Sequence, residues 1–499
     1  ITRENLQVGL SSTTRVDLTM VPQATQLSGV TVSAAAVTSD ITPSNMGTKT
    51  TVSDTVIQRL PTQTRNLVDF IKLTPQVSAS GPGFSGGGMS NRMNNVQIDG
   101  ATERDVFGLG STGQPGGQIS AKAISIDAVK EFQVLLAPFD VRQGNFGGLL
   151  LNAVTRSGTN TWHGSAFRYY RNQDYGRNVP TLRATPFERD QFGFSLGGPI
   201  IRDKLHFFTA NEWQRETVPV SGPFVGQSPD IKPVFPFSDA EIARFDAAFA
   251  ARGGNADPGS LAAGNSPTPM DNLFARLDYQ INDVHRLVAR FNYTDATNDN
   301  RRQNGRTATQ AIYSSNFHSI NSNKKAPVIQ LFSNFKNGWN NEAIFGAALV
   351  EDRRNPKLVF PQVTINYSGG RRIIAGSDQF SQGNELDAYT YEFTDNLTIP
   401  RGNHSLVFGT RNELVKIRNL FTQSSYGVWN FNSIDDFEAG RASGFRKAFI
   451  LSQGGNAYFD ALQTALYAQD QWTATPRMTV TAGLRADISN FLKDNSYAL

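Results

Sequence analysis

The sequence predicts a mainly β protein, in which a transmembrane antiparallel β-barrel follows an N-terminal α+β domain. Three observations lead to this prediction: segments of alternating apolar and polar residues after Trp162, connections between them that alternate in length, and a glycine-rich stretch before them. Alternation with period two over about ten residues is typical of a strand with one apolar and one polar face. No run of residues approaches the ~18 consecutive apolar residues that a transmembrane helix needs.

The composition excludes several classes of protein. The 499 residues include 47 Lys and Arg and 43 Asp and Glu, and the resulting net charge of +4 argues against a dedicated nucleic-acid-binding protein. Cysteine is absent, which excludes disulfide scaffolds, thiolate zinc sites and cysteine nucleophiles. The content of 34 Phe and 44 Gly favours β structure joined by turns.

The N-terminal residues predict a strand and a linker. Val16, Leu18 and Met20 alternate with polar residues, but a single strand buries too little surface to fold alone. Residues 1–26 are therefore interpreted as the end of a small β domain, and residues 27–50 as an extended linker rich in small residues. Because the chain starts without Met or an apolar signal segment, we expect it to be a fragment of a longer protein.

Residues 51–158 predict a compact α+β domain. Apolar spacing indicates two short helices, the first broken at Pro61 and the second ended by Pro75. Glycine-rich loops then flank a strand at residues 96–100, and a further regular segment follows at residues 124–136.

Residues 159–499 predict the strands of the barrel. The candidate strands are 162–170, 191–200, 204–216, 271–281, 285–296, 328–336, 341–353, 387–399, 403–417, 460–473 and 477–490. Tight turns alternate with long polar linkers, and outer-membrane barrels have short periplasmic turns and long extracellular loops. Since the number of strands is odd and the last lacks a partner, the barrel is expected to be incomplete at its C-terminus.

One long linker contains a predicted helix. Ser238 and Glu241 have the spacing of a capping box, and Ile242, Phe245 and Phe249 share a face before glycine ends the pattern. We expect this helix to order an external loop.

Five short motifs occur in order along the chain, and together they resemble those of a known family. They are residues 65–77, residues 95–100 with Asp99 and Gly100, residues 126–134, residues 144–158 with Gly147, Gly148, Asn152 and Thr155, and residues 191–201. This order is similar to that of TonB-dependent outer-membrane transporters, in particular the Oar-like group with a carboxypeptidase-regulatory-like N-terminal domain. The resemblance implies that residues 51–158 form a plug inside the barrel.

The resemblance also implies a TonB box. The segment of Gly29, Val30, Thr31, Val32, Ser33 and Ala34 is similar to this short strand, which pairs with an edge strand of TonB by β-augmentation. Alternatively, Val30 and Val32 are the tail of the preceding β domain.

A plug inside a barrel gives the polar strand faces a role. Five barrel arginines are expected to face the lumen: Arg168, Arg276, Arg290, Arg411 and Arg485. The plug carboxylates Asp99, Glu103 and Glu131 are their candidate partners. The alternative is that each arginine is a solvated or structural charge of the wall.

The function implied by the resemblance is transport. A multi-pass protein of the bacterial outer membrane would bind a large or scarce ligand with its extracellular loops and plug, and TonB would relay energy from an inner-membrane complex. Its partners would be outer-membrane lipid, TonB and an unidentified ligand, with no nucleic acid. The alternatives are an outer-membrane adhesion or surface-organisation protein and a soluble β-sandwich binding module.

Enzymatic and cofactor-dependent functions are not expected. Residues 81–86 match a dinucleotide-binding glycine pattern, but they do not follow a predicted strand. The five histidines lack metal-ligand spacing, and no nucleophile-elbow motif is present. We therefore predict no catalytic residues, no metal site and no cofactor.

Overall fold

A computed structural model describes residues 47–60, 62, 64–78, 84–110, 112–175, 187–301, 305–451 and 453–492. The predicted β-domain remnant at residues 1–26 and the TonB-box candidate Gly29–Ala34 lie outside the described residues. Within these ranges the chain forms three parts: an N-terminal plug, a long antiparallel sheet that we call the wall, and a layer made from the long connections of the wall.

The plug contains two α-helices, α1 (Asp54–Arg59) and α2 (Leu67–Ile71). Its strands are β1 (Gly47–Ser53), β2 (Val77–Ser78), β3 (Ser85–Gly86), β4 (Asn95–Ile98), β5 (Ala101–Thr102), β6 (Val129–Pro138) and β7 (Leu150–Thr155). Five of them form a sheet in the order β1-β6-β7-β4-β5, in which only β4 and β7 pair in parallel. Strand β1 begins within the range that the sequence analysis gave to the linker.

The helices of the plug follow from local sequence. Helix α2 begins after Asn66, whose side chain accepts a hydrogen bond from the backbone N–H of Val68. It buries Leu67, Phe70 and Ile71 against the sheet, and the ring of Phe70 meets that of Phe132 edge-on at 5.8 Å.

The wall is a 12-stranded antiparallel sheet. Its strands are β8 (His163–Asn172), β9 (Glu188–Ile201), β10 (Leu205–Pro219), β11 (Asn265–Pro267), β12 (Met270–Gln280), β13 (His285–Arg301), β15 (His318–Asn334), β16 (Asn340–Pro356), β19 (Asn384–Arg401), β20 (His404–Phe421), β23 (Asn456–Thr475) and β24 (Met478–Phe491). Apart from the short β11, which pairs with β10, each wall strand pairs with the wall strands that precede and follow it along the chain.

The outer face of the wall carries a row of apolar side chains. Cross-strand pairing aligns Leu277, Ala289, Ile329, Phe345 and Phe393 across five consecutive strands. Leu277, Ile329, Phe345 and Phe393 are exposed. An exposed apolar band of this kind is the lipid-facing surface of an outer-membrane barrel.

No helix in the described ranges has the length and apolar character needed to cross a membrane.

The wall curves around the plug. Plug residues contact Glu212 on β10, Arg290 on β13, Glu413 on β20 and Arg485 on β24. Neighbouring strands lie about 4.8 Å apart, so a flat sheet could not bring strands this distant in its order to one small domain. The mainly β architecture predicted from the sequence is therefore confirmed.

The long connections of the wall fold into a layer of their own, which we call the loop layer. It contains the helices α3 (Asp239–Arg252) and α4 (Ile434–Ala439) and the strands β14 (Gln310–Ile312), β17 (Gln362–Asn366), β18 (Arg372–Ala375), β21 (Val428–Phe431) and β22 (Gly444–Arg446). The strands form a sheet in the order β14-β18-β17-β21-β22.

The predicted loop helix is confirmed as α3. Ser238 and Glu241 form a complete capping box at its start, and Phe245 and Phe249 are fully buried. These rings share an apolar core with the loop-layer strands and α4. The five strands of this layer were not predicted, because they are short and lie in segments that were interpreted as polar loops.

Candidate functional site at the plug and wall interface

Two motifs of the plug are joined by a side-chain clasp. The carboxylate of Asp99 accepts hydrogen bonds from the backbone N–H and the hydroxyl of Thr155, both at 2.8 Å. The backbone N–H of Gly100 donates to Asn152 Oδ1 at 3.2 Å. Asp99 and Gly100 both have positive φ angles, a turn that glycine and aspartate tolerate better than most residues. The clasp fixes the end of β4 against β7.

The paired glycines of the plug allow a close backbone approach. The backbone N–H groups of Gly147 and Gly148 donate to the carbonyl of Met93 at 3.0 and 3.1 Å. A Cβ on Gly148 would lie 2.6 Å from Asn94 Oδ1, the atom that accepts a hydrogen bond from the Leu149 N–H. A larger residue at position 148 would therefore disrupt the segment leading into β7.

The first polar cluster of the interface surrounds Glu103, a fully buried plug residue. Its carboxylate accepts hydrogen bonds from Arg290 Nη1 at 2.8 Å, Lys324 Nζ at 2.6 Å and Asn292 Nδ2 at 3.0 Å, all from the wall. Burial alone would raise the pKa of Glu103, but Lys324 and Arg290 hold this pKa below its ordinary value. The carboxylate is thus kept ionised as the partner of two buried cations.

A second cluster has the opposite arrangement of charge. Lys122 of the plug is paired with Glu212 of the wall, and both side chains are buried. Glu212 also accepts hydrogen bonds from Ser125 Oγ at 2.9 Å and from Gln191 Nε2 at 2.6 Å. These donors come from both the plug and the wall, so the buried carboxylate has protein partners on both sides of the interface.

A third cluster lies where the plug meets β19 and β20. The backbone N–H of Thr102 donates to Glu392 at 2.7 Å, and its hydroxyl donates to Glu413 at 3.0 Å. Arg104 reaches Glu413 at 3.1 Å, while Arg411 of the wall bonds both Glu413 and Thr102. The plug and the wall here share one network of charge-assisted hydrogen bonds.

Four of the five wall arginines named from the sequence contact the plug. Arg276 Nη1 donates to Thr155 Oγ1 at 2.7 Å, Arg290 and Arg411 join the clusters around Glu103 and Glu413, and Arg485 Nη1 donates to the carbonyl of Val141 at 2.9 Å. Their side chains therefore point to the concave side of the wall.

Arg168 is placed differently, and the expectation that it faces the lumen is corrected. Its side chain is 69% exposed and forms an ion pair with Asp190. It pairs across the strands with Phe192, an exposed residue of the outer face. The neighbouring Phe167 faces inward instead and lies under Arg65 of the plug. In β8 the side chain that faces the plug is therefore Phe167, and not Arg168 as predicted.

The three plug carboxylates also differ. Glu103 meets wall cations directly, and Asp99 lies 3.3 Å from Arg290 Nε. Glu131 receives its described hydrogen bond from Gln133 of its own strand.

Six charged residues of the three clusters were missed by the sequence analysis: Arg104, Lys122, Glu212, Lys324, Glu392 and Glu413. The signal that could have found Glu212 is its register. It shares a strand face with the buried residues Phe208 and Ala210, and a carboxylate on a buried face requires a partner.

Within the described residues, no group of three or more His, Asp or Glu side chains could hold a metal ion. In these three clusters, charges of the plug and the wall neutralise each other. Apolar contacts also join the two parts, such as Phe208 of the wall in the core of the plug and Ala101 of the plug against Val328. The hydrogen bonds of such clusters can be replaced by hydrogen bonds to water more readily than apolar contacts can.

A family model described as an outer membrane beta barrel domain matches residues 154–228 and 240–499. The chain is 28% identical over 223 residues to the TonB-dependent transporter Oar from Myxococcus xanthus. This match covers 41% of the chain and 20% of the relative. The chain thus spans about a fifth of that relative's length.

Solved structures share the fold. The outer membrane transporter YddB from Escherichia coli superposes with a TM-score of 0.62 at 13% identity, over 90% of this chain and 57% of that chain. The siderophore receptor PirA from Acinetobacter baumannii gives 0.56 at 14% identity, over 89% and 58%. These likenesses show that the chain has the plug-and-barrel fold.

Proposed function

Because this chain belongs to the outer membrane beta barrel domain family and lies in the bacterial outer membrane, we propose that it is part of a TonB-dependent receptor and transporter. In this proposal, the loop layer and the outer surface of the plug bind a ligand that is too large or too scarce for open pores. TonB then pairs with the N-terminal segment and displaces the plug. The chain binds and moves its ligand without covalent chemistry.

The polar interface between plug and wall carries this proposal. A plug that only closed a barrel would be held most firmly by apolar contacts, which water cannot replace. Here Glu103, Glu212 and Glu413 each bind across the interface to cations and other donors. Such bonds hold the plug firmly at rest, and water entering the lumen can take their place once a pulling force has separated the first pairs.

We further propose the arrangement expected from the sequence: the end of a carboxypeptidase-regulatory-like domain at residues 1–26, a TonB-box region at residues 27–50, a plug at residues 51–158 and barrel strands at residues 159–499. The box is the segment Gly29–Ala34. It supplies main-chain donors and acceptors to an edge strand of TonB, while Val30 and Val32 set the register.

Capture by TonB tests the proposal. The full-length protein in detergent is passed over the immobilised periplasmic domain of TonB, and the bound fraction is measured. Val30→Pro removes a main-chain donor from the augmenting strand, so this variant is expected to lose capture. Val30→Thr keeps a β-branched side chain and the donor, and it is the matched control.

Both variants should enter the outer membrane with the same heat-modifiable mobility on gels. Equal capture of Val30→Pro and the unchanged protein would contradict the box. Absence of capture for the unchanged protein would contradict TonB dependence and favour the adhesion alternative.

A further inference from the structure

One face of the loop-layer sheet is covered by protein, and the other faces a cavity. Along β17, Val363 and Ile365 pack into the aromatic core of the layer, whereas Gln362 and Thr364 line the opposite face. The cavity over this face measures about 390 Å³, within the range of ligand-binding pockets.

The lining of this cavity is polar and positively charged. It includes the amides of Gln310, Gln362 and Asn430 and the guanidinium groups of Arg372 and Arg446, with no carboxylate. Among the described residues neither arginine has a carboxylate partner, and Arg446 bonds the amide oxygen of Gln379. The unneutralised charge favours an anionic ligand.

The two arginines lie at opposite corners of the sheet face. Arg372 is on β18 and Arg446 on β22, three strands apart in the sheet order. Three spacings place their backbones about 14 Å apart across the strands. In the register of the sheet, Arg372 lies opposite Asn366 of β17. Arg446 lies opposite Val428, which in turn lies opposite Gln362 of β17, four residues from Asn366. This offset adds about 13 Å along the strands. A ligand that meets both arginines must therefore be extended.

The surface between the arginines favours a hydroxyl-rich ligand over a peptide. Amide side chains both donate and accept hydrogen bonds, as sugar hydroxyl groups do. An extended peptide is usually recognised along a strand edge by main-chain pairing, but this cavity lies over the face of the sheet.

We propose that this face, which we call the loop-layer cup, binds an extended acidic oligosaccharide. Arg372 and Arg446 would each bind an anionic group of the chain, with bidentate geometry where the group is a carboxylate. Gln310 and Asn430 would bind the hydroxyl groups between them, over a floor formed by the buried Gln362 and Thr364. The inference rests on the proposed receptor function and names its ligand class.

Gly444 provides a way to block the cup without disturbing its sheet. It lines the cavity, and a Cβ built on it meets no atom within 4 Å. Gly444→Trp should therefore fill the cavity while the strand pairing of β22 is kept. Because Gly444 lies at the level of Asn430, the new ring would cover the middle of the proposed binding surface.

The experiment measures binding of oligogalacturonate to the full-length protein in detergent by calorimetry. We expect Arg372→Gln and Arg446→Gln each to weaken binding about tenfold, and Gly444→Trp to abolish it. Lys232→Gln, at an exposed lysine outside the cup, should bind as the unchanged protein does. Trypsin resistance of the loop layer in every variant verifies that the layer is folded.

Three further probes separate the sources of binding. Methyl-esterified oligogalacturonate keeps the hydroxyl groups without the charge and should bind at least tenfold more weakly. A sulfated oligosaccharide that binds better than the carboxylated one would assign the anionic group as sulfate. An oligoglutamate peptide that binds as well as the sugars would overturn the saccharide assignment.

Absence of binding by both acidic sugars, or equal binding by Gly444→Trp, would overturn the cup itself. TonB capture is measured separately and does not depend on the cup. Failure of this inference and failure of the proposed function are therefore distinguishable.

Discussion

The plug–wall interface and the core of the loop layer join distant parts of the chain by different kinds of contact. At the interface, buried charges such as Glu103 and Arg290 are joined by hydrogen bonds. In the loop layer, Phe245 stacks on Phe437 at 6.0 Å and meets Tyr313 at 4.9 Å. Polar bonds can be exchanged for bonds to water at small net cost, whereas apolar surface cannot be exposed without loss.

In the proposed mechanism, this difference separates the plug, which moves, from the loop layer, which stays folded. The plug has an apolar core that includes Phe70 and Phe132, and the wall residues Phe208, Ala210 and Phe274 extend it. Most of this core lies within the plug, so the plug can keep its structure while its contacts with the wall are exchanged. The loop layer has aromatic contacts between loops and would lose its structure if these loops separated. The loop layer therefore presents a preformed surface.

The largest expected effect tests the loop layer. Phe245→Ala removes a fully buried ring and should destabilise the layer by about 3–5 kcal/mol. Trypsin should then cleave faster at Arg252 and Arg371, while the heat-modifiable mobility of the barrel stays unchanged. Phe449→Ala is the control, because Phe449 is 77% exposed. Equal cleavage rates in the two variants would show that the layer does not depend on this core.

The next effect tests the interface. Glu103→Gln keeps the shape of the side chain but removes the carboxylate beside Lys324 and one of the two beside Arg290, which retains Asp99. This change should cost about 2–3 kcal/mol. Because the chain has no cysteine, Ala101→Cys provides a single thiol. Ala101 is buried against Val328 and Ile344 of the wall, so its labelling rate reports separation of the plug.

We expect faster labelling of this thiol in Glu103→Gln and an unchanged rate in Glu131→Gln, since the described hydrogen bond of Glu131 stays within its own strand. A plug held mainly by apolar contacts would give the same rate in both variants. Trypsin cleavage of the loop layer at Arg252 should not change in either variant, because the described side-chain partners of Glu103 lie on the wall.

The sequence predicts the wall well because its signal is local. Each strand alternates over its own length, so Arg290 and Asn292 share the polar face while Phe291 and Tyr293 share the apolar one. In the structure, Arg290 and Asn292 are buried toward the plug and Phe291 is exposed. Strand β8 also alternates, but its faces are reversed: Phe167 faces the plug and Arg168 faces outward. The alternation alone therefore predicts the wrong side for Arg168.

The loop-layer sheet could not be predicted for the opposite reason. Strands β14 and β17 have three and five residues, too few to establish a period. Two of its pairings, β14 with β18 and β17 with β21, are parallel and join residues 62 and 66 positions apart. Arg290 and Glu103 were candidates from the sequence, but their pairing and the partner Lys324 were not predicted, because residues 103, 290 and 324 meet only once the wall has curved.

The smallest expected effect is that of a substitution at the exposed start of α3, which we compare with Phe245→Ala in the same loop layer. The Ser238 side chain accepts from the Glu241 N–H at 3.3 Å, and the Ser238 N–H donates to Glu241 Oε2 at 2.8 Å. Ser238→Ala should cost about 1 kcal/mol, well below Phe245→Ala, because water can reach the groups it leaves unpaired. Trypsin cleavage at Arg252 measures both variants on one scale.

The same cap gives the loop layer a dependence on pH. The Ser238 N–H, together with Arg371, holds the pKa of Glu241 below its ordinary value. A carboxyl whose pKa is lowered by folding adds stability above its unfolded pKa of about 4.3, and this stability is lost as the pH falls toward the lower folded value. A cleavage site for an acid-active protease is introduced at position 252. Cleavage at this site should increase as the pH falls below about 4.3. Glu241→Gln should flatten that rise, and a rise of equal size in Glu241→Gln would place the titrating group elsewhere in the layer.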